Sequence, residues 1–196
     1  MRIRLLPRLA LVASAMLAFH AAPAGRSNAD PVDRFTAFAV NLGDVGRAAA
    51  GTVLIDVDRY ASDAERDRLV NVLLERGPDK LLDTIEEMPR MGNIRTPDSL
   101  GYPIRFARKT LVPEGGGERV TLVTNRPVTF WDAWRRPGTF DYPFTVIELR
   151  LDANGEGEGK LSIATRITGD KERGTITLEN YATQPVMLTK VKREKP

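Results

Sequence analysis

The sequence predicts a β-rich α+β domain, with about seven or eight mostly antiparallel strands in a strongly bent sheet or open barrel and a helical pair inserted after the second strand. A two-sheet sandwich with the helices at its edge is the alternative. Three observations carry this reading. Residues 144–191 read as two consecutive β-hairpins, alternating segments recur on the amino-terminal side of them, and one stretch between Ser62 and Pro89 switches to helical spacing.

In the hairpin region, Ile147, Leu149 and Leu151 alternate with Glu148, Arg150 and Asp152, the two-residue period of a half-buried strand. After Asn154-Gly155 the pattern resumes, with Leu161, Ile163 and Ile167 facing one way and Ser162, Arg166 and Thr168 the other. A two-residue Asn-Gly turn would set Leu149 opposite Lys160 and expose half the apolar set. A longer or bulged loop through Gly155, Gly157 or Gly159 is therefore expected. A tight turn at Lys171-Glu172 would put Ile167 opposite Ile176 and Thr165 opposite Leu178, with both strands facing one core.

At the amino terminus, Arg2, Arg4 and Arg8 precede an apolar run from Leu9 to Phe19 and a small-residue stretch ending Ser27-Asn28-Ala29, the layout of a secretory signal peptide. Cleavage is expected after Ala29, with Ala24 as the alternative, leaving a single globular domain over residues 30–196. The run is too short for a spanning helix, which needs ~20 apolar residues, and no later segment is apolar enough to serve as one. The expected compartment is periplasmic or extracellular. The leader carries four arginines and no acid. The 29 basic residues less these four leave 25 against 26 acidic, a net charge of −1. The basic pI thus belongs to the export signal, and no nucleic-acid partner is inferred from it.

The chain has no cysteine, and its one histidine, His20, lies in the leader. With the leader removed, neither imidazole nor thiol remains. Ser-His-Asp and Cys-His catalysis drop out, as do His- or Cys-ligated zinc, haem and iron-sulfur sites. No metal and no cofactor are expected. Carboxylate, hydroxyl, Lys, Tyr or Arg chemistry is left, or none.

Along the chain, Asp33 to Leu42 reads as a strand, Gly43 to Gly51 as a loop, and Val53, Ile55 and Val57 as a second strand. Asp56 and Asp58 share its wet face, read as a solvated surface in preference to a Ca²⁺ or paired-carboxylate site. Ser62-Asp-Ala-Glu65 is a capping box that starts a helix ending at Gly77-Pro78, with Leu69, Val72 and Leu73 as its apolar stripe. Pro78 opens a second helix carrying Leu81, Leu82, Ile85 and Met88, stopped by Pro89. Arg90 to Leu100 reads as irregular. Strands follow around Tyr102–Ala107 and Val120–Thr124, joined by the flexible Pro113–Gly117. Pro185 to Lys192 is the last strand, and the basic stretch Lys190–Lys195 reads as solvated.

The most unusual composition is in residues 130–144, which hold Phe130, Trp131, Trp134, Phe140, Tyr142 and Phe144, six of the 13 aromatic residues. One reading is a ligand lip, with indole faces for sugar rings or an apolar ligand and Asp132 and Arg135 fixing its orientation. The other is that the aromatics plug one end of the core, with arginines stacked over them.

Arg95-Thr-Pro-Asp-Ser-Leu-Gly-Tyr102, Asp141-Tyr-Pro-Phe-Thr145, the Gly155–Lys160 loop, and Leu178-Glu-Asn-Tyr181 with Gln184-Pro-Val186 resemble a set of uncharacterised bacterial exported proteins of about this length. The resemblance covers nearly the whole chain after the leader. It implies export and single-domain architecture and carries no activity.

For function, the leading expectation is an exported, non-catalytic binding or envelope-associated protein. Its partner would be an unknown small ligand or envelope component, met at Trp131, Asp132, Trp134, Arg135 and Tyr142. One alternative is a carboxylate-dependent hydrolase acting on a saccharide or peptide, with Asp132 and Asp141 as its pair. Another is a carrier of a small apolar molecule, which requires an internal cavity of at least ~300 Å³.

Overall fold

The structure, a computed structural model, describes residues 30–41, 49–112, 116–128, 141–181 and 184–194. Nine strands and two helices occur among them: β1 (Asp33–Asn41), β2 (Ala49–Val57), α1 (Asp63–Arg76), α2 (Pro78–Glu87), β3 (Gly92–Arg95), β4 (Tyr102–Leu111), β5 (Glu118–Thr124), β6 (Phe144–Leu151), β7 (Glu156–Asp170), β8 (Thr175–Asn180) and β9 (Val186–Glu194). β1 to β6 follow one another as an antiparallel meander. β9 pairs with β1 and with β7, and β7 also pairs with β6, so eight strands close into a barrel and β8 remains outside it. The chain is thus a bent β-sheet with an inserted helical pair, and the bend is complete enough to close. Closure removes the open edges that a sandwich would have to protect.

Alternation places the core. Phe35, Ala37 and Ala39 of β1, Val53, Ile55 and Val57 of β2, Val120 and Leu122 of β5, and Ile147, Leu149 and Leu151 of β6 all point inward and are buried. An eight-stranded barrel is just wide enough for such side chains to fill, or to hold one small ligand. β9 stays in phase with this interior through a bulge. Lys190 takes a positive φ of 52°, so Val186 and Leu188 before it and Val191 after it all face inward. Met187 points out and is 42% exposed.

The β6–β7 turn resolves the Asn-Gly conflict with a three-residue loop. Asp152 N–H donates to the Glu156 carbonyl at 2.8 Å, Gly155 N–H donates to the Asp152 carbonyl at 3.0 Å, and Gly155 sits at φ 80°. Leu149 then faces Gly159 and Ile147 faces Leu161.

The second hairpin differs from expectation. Its turn spans four residues, Lys171–Gly174, so Ile167 pairs with Leu178 and Gly169 with Ile176, a shift of two that preserves the faces but moves every partner. β7 is 15 residues long and outruns the wall of the barrel. Its far half leaves with β8 as a projecting arm, and all six β8 residues are exposed. Ile147, Leu161 and Ile167 are buried as expected, whereas Ile176 is not. The departure point is Ala164, buried at φ 54°, where the β6–β7 register slips.

The capping box forms as read. The Ser62 hydroxyl accepts the Glu65 N–H at 3.2 Å, and the Glu65 carboxylate accepts the Ser62 N–H at 2.8 Å. α1 is anchored at its start by Arg108 of β4, which donates to Asp63 at 2.7 Å, and reaches β7 near its end, where Leu73 and Leu74 crowd Gly169. It therefore runs diagonally across the outside of the wall between β4 and β7. Val123 and Val146, which point outward from that wall, are 6% and 8% exposed. β3 is an unexpected element in a stretch read as irregular, with Ile94 fully buried.

Arg59 donates to both Glu65 carboxylate oxygens at 3.0 and 2.9 Å. Those bonds, followed by the Ser62 N–H, hold the Glu65 carboxyl down at about 2, well below its ordinary 4.5. A depressed carboxyl stabilises the folded state above its unfolded pKa and loses that contribution as pH falls towards the folded value. Glu65→Ala is expected to lower the melting temperature by ~2–4 °C at pH 7, consistent with a cap of about 1 kcal/mol. That difference should shrink between pH 4.5 and 2, which parallel thermal melts would show.

Candidate functional site

The two ends of the barrel are built differently. Where β1 begins and β2, β4 and β9 end, the inward phase continues past the apolar core into charged residues. Asp33 lies two before Phe35, Arg193 two after Val191, Glu118 two before Val120, and Lys109 two after Ala107. The chain leaving β2 adds Tyr60. The Asp33 side chain, 10% exposed, accepts the Tyr60 hydroxyl at 2.7 Å and the Lys109 ammonium at 3.1 Å. Arg193 Nε lies 3.0 Å from the same carboxylate, close enough for an ion pair but not aligned as a hydrogen bond. The Arg193 guanidinium donates to Glu118. Lys109 also lies over the Tyr60 ring, 4.9 Å from its centre, and Arg193 over Phe35 at 5.4 Å.

This network latches one end of the barrel with two acids, two cations and a phenol that pair with one another. Burial, then the hydrogen bond to Asp33, pushes the Tyr60 phenol far above an ordinary tyrosine. For Arg193, burial disfavours the charge, but Glu118 and Asp33 outweigh it and raise the pKa. The expectation that the carboxy-terminal basic stretch is simply solvated fails at Arg193. Its position two residues beyond Val191 was the signal.

The opposite end carries the connection from β5 to β6. Its described stem is pinned. The Thr145 hydroxyl, fully buried, accepts the Val128 N–H at 2.9 Å, and the Thr124 hydroxyl donates to the Arg126 carbonyl at 2.6 Å. Arg126 stacks over Tyr102 at 5.0 Å. On the returning side, Tyr142 donates to Glu179 at 3.0 Å and meets Tyr181 edge-on, with ring centres 5.5 Å apart. The Glu179 hydrogen bond, ahead of desolvation, raises the Tyr142 phenol above its usual value.

Of the sequence-selected residues, Tyr142 is thus placed at the rim of this end, and Asp141 beside it is exposed. Trp131, Asp132, Trp134 and Arg135 lie outside the described residues. Asp56 and Asp58 are tied to arginines, with Asp56 2.7 Å from Arg34 and Asp58 3.1 Å from Arg90. Among the described residues, no group of three or more His, Cys, Asp or Glu side chains could hold a metal ion. No helix among them is long and apolar enough to cross a membrane.

No family model, curated protein or solved structure matches the chain.

Proposed function

We propose that the chain is an exported, non-catalytic binding protein whose ligand meets the barrel at the end bearing Tyr142. What supports this is the asymmetry of the two ends. One is latched by Asp33, Glu118, Tyr60, Lys109 and Arg193, whose charged groups are paired with one another. The other holds a rigid stem and a tyrosine pair on either side of a connection rich in aromatic residues. Trp131, Trp134, Asp132 and Arg135 on that connection supply stacking faces and two charges to orient a bound group. A carrier of a small apolar molecule is the second reading, favoured by the largely apolar inward face of the middle of a closed eight-stranded barrel. A hydrolase based on Asp132 and Asp141 has no comparable support.

The chain has only two tryptophans, both on this connection, so their emission reports on it alone. The test is native mass spectrometry of protein recovered from an envelope extract, with Trp134→Ala alongside. A reproducible bound species, lost in the variant while the melting temperature stays within ~2 °C, is the expected result. No bound species, together with a fall of ~6 °C or more as for a core Trp costing 3–5 kcal/mol, would reassign the aromatic connection to the core.

A further inference from the structure

β8 is the one strand outside the closed ring, and it has a single neighbour among the described strands. Its free edge presents unpaired backbone N–H and C=O groups, which natural proteins ordinarily blunt with charge, proline or a covering element. Among the described residues none of these protects the central run. Thr175-Ile176-Thr177-Leu178 is uncharged, free of proline and made of strand-favouring residues, and all six positions of β8 are exposed. Ile176 and Leu178 are 46% and 51% exposed, on the side of the arm that Gly169 turns towards Leu73 and Leu74 of α1. An apolar strip therefore runs from α1 across the arm and stops at the open edge.

We infer that β8 is a self-pairing edge: two copies of the chain join through antiparallel β8 strands, about a two-fold axis beside Thr177. The sequence of the strand is what selects a second copy over an unrelated peptide. With Thr177 opposite its counterpart, Ile176 of each copy faces Leu178 of the other, and four aliphatic side chains meet on one face of a continuous four-stranded arm. Glu179 then faces Thr175, so no two acids are opposed. Sliding the pairing by two residues in one direction leaves Ile176 opposite Asn180. Sliding it in the other leaves Leu178 opposite Gly174. Only the central register covers both exposed aliphatics, and an isologous contact repeats that gain on both sides of the axis.

The absence of cysteine makes the register directly testable. With protein expressed from the full sequence, sedimentation equilibrium should show a dimer by about 100 µM. The pair Ile176→Lys and Leu178→Lys should weaken it at least ~10-fold. Because both side chains lie outside the barrel, the melting temperature of the dissociated form should hold. Thr177→Cys should form an intermolecular disulfide on mild oxidation. Thr175→Cys, on the same face but ~13 Å from its own counterpart in this register, should not. A chain still monomeric at that concentration, a dimer indifferent to the lysine pair, or equal cross-linking at positions 175 and 177 would each overturn the inference.

Discussion

Gly157→Ala is expected to open the barrel. Gly157 is one of the residues at which β7 is paired on both sides, with Leu151 of β6 and with Val191 of β9. A Cβ there would lie 1.9 Å from the Arg150 carbonyl oxygen, 2.9 Å from its carbon and 3.1 Å from the Leu151 Cα. All three are backbone atoms, so no side chain can swing aside, and the strands must separate. Overpacking of this kind costs ~3 kcal/mol or more, a fall of ~6–12 °C in a domain of this size. Gly174→Ala makes the control. Gly174 has φ 61° and nothing within 4 Å of its would-be Cβ, so only the backbone penalty of about 1 kcal/mol applies. A Gly157→Ala variant melting within ~2 °C of the parent would show that the seam between β6, β7 and β9 is looser than described.

The second large effect is at the latch. Asp33→Asn keeps the shape but removes the charge that holds Lys109 and Arg193, leaving two cations to share Glu118. Losing one partner of a buried pair costs ~3–5 kcal/mol. The Lys109 and Arg193 side chains are 35% and 27% exposed, so solvent screening brings the expected loss to ~2–3 kcal/mol. Thermal melts of Asp33→Asn, Lys109→Met and the double variant would measure the coupling. The double variant should recover part of the loss, and strict additivity would refute the shared network. The same end should respond to alkali. A tyrosine pKa raised in the folded state stabilises below the unfolded value of 10.0 and loses that contribution as pH rises beyond it, a loss that Tyr60→Phe should not show.

Much of the ring was legible in the chain because its signals are local. Ile147, Leu149 and Leu151 reveal β6 by alternation, Ser62 and Glu65 start α1, and Gly77-Pro78 ends it. β3 was not legible. Four residues with one buried side chain, Ile94, give too short a pattern, and what makes them a strand is the partners on either side, β2 and β4. The departure of β8 was hidden for another reason. Ile176 and Leu178 alternate as core residues do, and the break in β7 falls at an alanine with positive φ, a position sequence would assign to glycine or asparagine. The latch was hidden because charged residues at strand ends look solvated until strand phase is followed past the last aliphatic. Of the candidate site, Tyr142 and its stem are placed, and the four residues meant to accompany it fall outside the described segments.

The order of the strands has a temporal consequence. Six staves of the ring can associate with the one made just before, but the first can be flanked on its second side only by β9, which is made after all the others. A nascent chain therefore stays an unfinished ribbon until Val186–Glu194 exist. For a polypeptide bound for translocation, as proposed, that delay keeps it threadable until the closing strand is made.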